Sequence, residues 1–250
     1  MTPEISIVIP AYNEEESLPT LFAALYPVMQ NMGRPFEIIF VNDGSRDATL
    51  GLLYDFYKKY PEVRVIDLNG NFGQHMAIMA GFEQARGSKM ITLDADLQNP
   101  PEEIPKLVAQ MDGGHDVVGT YRVGRQDPLF RKVASKIVNK CTNRITKLSI
   151  RDYGCMLRGY DRRIVDIINV SRESATFIPA LAQKFAANPV EIPVAHRERE
   201  KGVSKYGLFQ LIRLNFDLMT SFSLVPLQMV TMAGMIVSAL SFLLVCYMFV

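Results

Sequence analysis

Asp94 and Asp96 follow the apolar run from Met90 to Leu93, and two carboxylates placed so close ask for a cation. In extended chain, residues i and i+2 project to the same side, so both side chains can aim at one point. Left alone they would repel each other and raise a pKa. Hard oxygen donors suit Mg2+ or Mn2+, ions that keep some waters and fill the rest of their shell from a substrate phosphate. The pair therefore points to a nucleoside diphosphate. A second block, VNDGS at Val41 to Ser45, ends another apolar run with Asp43, a carboxylate free to hydrogen-bond a base or a ribose. Competing phosphate patterns fail. No GxGxxG follows the first apolar run, and GFEQARGSK at Gly81 to Lys89 has the wrong P-loop spacing and runs from a helix into a strand. The 3 histidines are scattered, which speaks against zinc. Cys141, Cys155 and Cys246 form no CxxC pair and read as reduced thiols.

The elements that must position these groups are legible as alternation. ISIVIPAYN, FEIIFVND, VRVIDLN, KMITLDAD and HDVVGTYR read as strands, and stretches such as EESLPTLFAALYPVMQNM and RDATLGLLYDFYKKY carry apolar residues at helical spacing. Strands alternating with helices predict an α/β domain with a mostly parallel sheet covered on both faces. Ligands bind such sheets beyond the carboxyl ends of the strands. Tyr12, Asn13 and Glu14 end the first strand, Asn42 and Asp43 the second, and Asp94 and Asp96 the fourth, so all point to one mouth.

Composition narrows the class further. The 250 residues are 48% hydrophobic and 21% charged, which excludes disorder, and a net charge of +1 gives no sign of a nucleic-acid partner. The distribution of charge is more telling. Lys132, Lys136, Lys140, Arg144, Lys147 and Arg151 recur at three- or four-residue spacing beside an apolar stripe, predicting a basic amphipathic helix over 128–151 resting on anionic headgroups. YGLFQLIRLNFDLMTSF suits a second interfacial helix over 201–222, and the uncharged stretch over 223–250 is long enough to cross a bilayer. Basic residues at 197–213 place the preceding domain, 1–200, on the cytoplasmic side. The N-terminus has no signal-peptide pattern.

VIPAYNEEESLP, VNDGSRDAT, DADLQNPPEEIP and HREREKGVSKY resemble the signature blocks of family-two glycosyltransferases of the GT-A fold, in the polyprenyl-phosphate branch. NFGQHMAIMAGF, DVVGTYR, FRKVASK, RDYGCMLRGYDRRIVD and VSKYGLFQLIRLNFDLMT resemble, within it, the group that loads 4-deoxy-4-formamido-L-arabinose onto undecaprenyl phosphate for lipid A modification and polymyxin resistance. The resemblance implies a GT-A domain, interfacial helices and a C-terminal transmembrane helix at the bacterial inner membrane. It implies a UDP-sugar donor, an undecaprenyl phosphate acceptor, a lipid bilayer as partner and Mg2+ or Mn2+ as cofactor. A homo-oligomer stays open. Members usually continue with a second span, so the chain is expected to lack one. Pro10, Tyr12 and Glu14 would line the base pocket, Asp43 would hold the uracil or ribose, and Asp94 and Asp96 the diphosphate through the metal. Arg122, Arg131, Ser135, Arg199 and Lys205 fall where the branch binds the acceptor phosphate and the departing diphosphate, with Arg131 and Arg199 counted among the catalytic groups.

A phosphate monoester with a second pKa of about 6 is already largely dianionic at neutral pH, so this chemistry can run without a dedicated base. One inverting displacement is expected, with Asp152 as the alternative base. Rival readings differ in class. A processive polysaccharide synthase relies on a QxxRW block, and the chain has no tryptophan. A polyprenyl-phosphate glucosyl- or mannosyltransferase would differ mainly in the sugar pocket. A non-catalytic membrane scaffold would have no use for the paired aspartates.

Overall fold

The computed structural model describes residues 2–123, 150–152, 154–171, 177–195 and 225–248. Most of the expected basic helix over 128–151 and all of the expected interfacial helix over 201–222 lie outside the described residues, as do Arg131, Ser135, Arg199 and Lys205. In chain order the elements are β1 (Ile5–Ala11), α1 (Leu18–Asn31), β2 (Phe36–Asn42), α2 (Thr49–Lys59), β3 (Val63–Asp67), α3 (Gln74–Gln84), β4 (Lys89–Thr92), a 3-10 turn (Pro101–Glu103) running into α4 (Ile104–Asp112), and β5 (Val117–Arg122). They continue with β6 (Arg158–Asp161), α5 (Arg162–Val170), α6 (Ile178–Phe185), β7 (Pro189–Val194) and α7 (Val225–Met248). The sheet and the first six helices form one compact unit, and α7 belongs to a second.

The seven strands lie in the order β3-β2-β1-β4-β6-β5-β7. Only β6 runs antiparallel, to both its neighbours. The expected strands are all present, and the sheet is mostly parallel. β1 is buried along its whole length, as a central strand covered on both faces must be. Ile5, Ile7 and Ile9 alternate onto one face, against Leu18, Leu21, Phe22 and Leu25 of α1 and Leu107 of α4. Phe22 stacks on Phe56 of α2 with centroids 4.3 Å apart. On the other face α3 and α5 cover the sheet, with Phe82 edge-on to Tyr160 at 5.4 Å. Each fully buried Leu or Ile there contributes about 1.5–3 kcal/mol.

A proline inside a central strand needs an explanation, because it cannot donate to the ladder. Alternate residues of β1 bond to opposite neighbours. Ala11 accepts from Asp43 on the β2 side, while Val8 accepts from the Leu93 amide on the β4 side. The β1–β4 register ends at Val8 and Thr92. Pro10 falls on the β4 side just past that point, where the ladder has opened. Its missing N–H costs nothing there, and it marks where the mouth begins.

α7 is long and apolar enough to cross a membrane. Its window Val230–Met248 has a mean hydropathy of 2.1 with none of its surface buried.

Candidate active site

The strand ends do gather at one mouth, but in a different backbone form from the one expected. β4 stops at Thr92, Asp94 lies just past its end, and Asp96 sits in the turn that follows and not in a continuing strand. Leu97 follows at φ 64, a left-handed conformation that costs a branched residue about 1–2 kcal/mol. Strain of this kind concentrates at functional sites. The turn still brings the two carboxylates within each other's field. Burial, and next the Asp96 charge, push Asp94 up to about 7. Glu14 adds to that rise and the charge of Arg122 opposes it, so all four groups act on one small volume.

Asp94 is gripped on both oxygens. Gln74, on the first turn of α3, donates its amide to Oδ1, and Asn99, 3% exposed, donates to Oδ2 at 3.4 Å. Asn99 in turn accepts from the Cys155 thiol at 3.4 Å. Asp96 Oδ1 accepts the Gln98 amide at 3.1 Å. Neither Gln74 nor Asn99 was singled out from sequence. Asn99, three residues past Asp96, was the usable signal, whereas Gln74 lies 20 residues before Asp94 and only the fold brings it there.

Asp43 corrects a second expectation, because its carboxylate is not free. Oδ1 accepts the Phe72 amide at 2.7 Å and Oδ2 the Gly73 amide at 2.9 Å, while Asn71 donates to the Asp43 carbonyl. The residue is 3% exposed. A carboxylate has about four lone-pair sites, so these two bonds leave room for a ligand donor while fixing the rotamer. The close approach depends on Gly44, at φ 68, where a Cβ would sit 2.5 Å from the Gly70 carbonyl carbon.

The loops after β1 and β2 are tied together. Asn13, itself at φ 53, accepts from Arg46 N on its Oδ1 at 2.8 Å and donates its backbone N–H to Ser45 Oγ at 3.0 Å. Glu14 N donates to Thr49 Oγ1 at 2.8 Å, and its carboxylate accepts from Ser17 Oγ at 2.7 Å. Tyr12 is half-buried beside them, and Pro10 is buried. Thus Pro10, Tyr12, Glu14, Asp43, Asp94, Asp96 and Arg122 are brought to the carboxyl end of one sheet.

Arg122 ends β5 and forms a bidentate pair with Asp152, Nε to Oδ2 at 2.7 Å and Nη2 to Oδ1 at 2.9 Å. His75, next to Gln74, lays its ring edge on Phe177 at 4.9 Å, and its Nδ1 is shielded without a hydrogen-bond partner. Burial, and then the charge of Arg158, lower it to about 4, so the ring is neutral.

Among the described residues no group of three or more His, Cys, Asp or Glu side chains could hold a metal ion. Asp94 and Asp96 nevertheless fit a hard divalent cation that takes its remaining ligands from water and a diphosphate. The donor set is all oxygen, and a cation between the two carboxylates would offset the burial and the Asp96 charge that oppose ionisation of Asp94.

The family model for glycosyl transferase family 2 matches residues 6–168. The undecaprenyl-phosphate 4-deoxy-4-formamido-L-arabinose transferase of Pectobacterium atrosepticum is 52% identical over 242 residues, covering 96% of this chain and 74% of that protein. Its counterpart in Pseudomonas fluorescens is 51% identical, covering 96% of this chain and 71% of that protein. Among solved structures, glucosyl-3-phosphoglycerate synthase from Mycobacterium tuberculosis, crystallised with Mn2+, UDP-glucose and phosphoglyceric acid, matches with a TM-score of 0.64. At 15% identity over 88% of this chain and 78% of that one, this likeness is one of fold, and the fold is GT-A. The motif resemblance and the alternating sheet thus lead to the same place: the chain belongs to glycosyl transferase family 2 and, within it, to the undecaprenyl-phosphate 4-deoxy-4-formamido-L-arabinose transferases.

Proposed function

We propose that the chain moves 4-deoxy-4-formamido-L-arabinose from a UDP donor to undecaprenyl phosphate in one inverting displacement at the cytoplasmic face of the bacterial inner membrane. The product would serve lipid A modification and polymyxin resistance. The observation that carries the reading is the convergence of Asp43, Asp94, Asp96 and Arg122 on one mouth, in a chain half identical to relatives of that name. Asp43 would bind the uracil or ribose, with Tyr12, Glu14 and Pro10 shaping the base pocket. Asp94 and Asp96 would hold a divalent cation, Mg2+ or Mn2+, which when bound supplies charge stabilisation to a departing diphosphate.

The acceptor phosphate needs no deprotonation near pH 7, so the demand on the protein is electrostatic. Two anions must approach one anomeric carbon. Arg122, joined by Arg131, Ser135, Arg199 and Lys205, would screen their repulsion and stabilise the charge that grows on the leaving group. α7 would anchor the domain at the bilayer that holds the acceptor's tail.

The test is transfer of label from a panel of UDP-sugars to undecaprenyl phosphate in detergent, with and without Mn2+, by the parent chain and Asp96→Ala. Metal-dependent transfer of the formamido-arabinose alone, lost in the variant, is the expected result. Transfer of glucose instead would keep the reaction and change the sugar, and absence of UDP binding would end the glycosyltransferase reading.

A further inference from the structure

We infer that Asp152 is a positioning residue that aims Arg122 at the mouth, and not a base that takes a proton from the acceptor; the inference rests on the transfer reaction proposed above. Four N–H donors converge on this one carboxylate. Arg122 supplies Nε at 2.7 Å, Nη2 at 2.9 Å and its own backbone N at 3.4 Å, and Gly154 N donates at 3.0 Å. A carboxylate offers about four lone-pair sites, so the described contacts already use what proton abstraction would need. A bidentate pair fixes the plane of the guanidinium as well as its place.

The segment that carries Asp152 is itself anchored from beneath. Arg158, 1% exposed, donates Nη2 to the Asp152 carbonyl at 2.5 Å and Nε to the Cys155 carbonyl at 2.8 Å. A buried guanidinium is costly unless its donors are used, and here they brace the turn that presents Asp152. The position two residues on from Asp152 is also constrained. A Cβ on Gly154 would lie 2.8 Å from Arg122 Nη2, so glycine leaves room for the guanidinium to lie flat on its partner. At the far end, Arg122 is near enough to Asp94 for its charge to act there.

Gly154 separates the two roles, because alanine at this site crowds Arg122 while leaving the Asp152 carboxylate in place. The experiment measures kcat, KM and the pH profile of transfer to undecaprenyl phosphate for the full chain, Asp152→Asn, Gly154→Ala, Arg122→Ala and the Asp152→Asn/Arg122→Ala pair, with UDP affinity from calorimetry. Positioning predicts that Asp152→Asn and Gly154→Ala both lower kcat by about 10-fold or more, the loss expected when an electrostatic donor is misplaced. UDP affinity should stay within about 3-fold, the pH profile should keep its shape, and the pair should be no slower than Arg122→Ala alone, as groups acting as a unit behave. Loss of an ionisation from the Asp152→Asn profile, with Gly154→Ala at the parent rate, would overturn the inference. Should Asp152→Asn not fold, Gly154→Ala decides by itself: a slowed enzyme supports positioning and a parent rate refutes it. Failure of the parent chain to transfer any sugar would remove the reaction and the inference together, before any variant is compared.

Discussion

Asp94 binds a proton up to about pH 7 in the folded chain, against 3.8 when unperturbed, because burial and then the Asp96 charge oppose its ionisation. Between those values the folded state holds a proton that the unfolded state has lost, so this group's contribution to stability falls as pH rises from about 4 to about 7. Asp96→Asn removes the neighbouring charge and keeps the acceptor for the Gln98 amide. With a repulsion of about 1 kcal/mol relieved, calorimetry without divalent ions should show Tm higher by about 2–4 °C at pH 8 and unchanged at pH 5, where Asp94 is protonated. Mn2+ with UDP should stabilise the parent and leave the variant where it was. His75 gives the opposite slope. Its ring is held neutral down to about 4, against 6.5 when unperturbed, by burial and then by Arg158. The unfolded chain therefore takes up the proton first, and stability falls as pH drops from about 6.5 toward about 4. His75→Phe, which keeps an aromatic edge on Phe177, should flatten that decline. Identical pH–Tm curves for parent and variant would show that the ring is not shielded in solution.

At the scale of elements, the site depends on loops that cross between strands far apart in sequence, and the loop 70–73 that closes on Asp43 is the sharpest case. Gly44 lies on the approach, and its φ of 68 together with a Cβ contact of 2.5 Å leaves an alanine nowhere to go. Gly44→Ala should lower stability by about 1–3 kcal/mol through strain and overpacking and weaken UDP binding, since the Phe72 and Gly73 amides would leave the carboxylate. Parent-like UDP affinity in a variant shown by calorimetry to be destabilised would mean that the loop does not set the Asp43 rotamer. This dependence also explains what could be read from sequence. β1 to β5 were legible because each is an apolar run that stops abruptly at polar residues, and the positions of Asp43 and Asp94 followed from those stops. The partners of Asp43 were not, since they lie 29 and 30 residues on. β6 was not among the strands expected, because it is four residues long and begins with a buried arginine in place of an apolar run. β7 carries two prolines, tolerable only because it is an edge strand. The turned backbone at Ala95 to Leu97 escaped because nothing in a leucine announces a positive φ.

For the whole molecule the acceptor's chemistry sets the demand. Drawing a polyprenyl chain out of a bilayer costs about 0.8 kcal/mol per CH2, so a soluble enzyme would have to bury a long tail or go without it. α7 offers another solution. Its apolar window of 19 residues reaches about 28 Å at 1.5 Å per residue, close to the roughly 30 Å of a hydrocarbon core. Met235, Leu240, Phe242 and Leu244 are each more than 60% exposed on it, so the described helix carries a large open apolar surface. Deleting residues 225–250 should release the chain from membranes on carbonate extraction while leaving UDP affinity within about 3-fold, because no described site residue lies in that helix. Transfer to undecaprenyl phosphate in vesicles should fall by about 100-fold or more, since the effective concentration of a tethered domain is lost. Transfer to a short-chain, water-soluble prenyl phosphate should persist. A variant that loses both acceptors equally, with UDP still bound, would mean that the helix completes the site and does more than anchor it. Retention of the truncated chain on membranes would assign the binding instead to charge, and raising the salt concentration would then release it, because attraction between basic residues and anionic headgroups is screened within about 10 Å at 0.1 M salt.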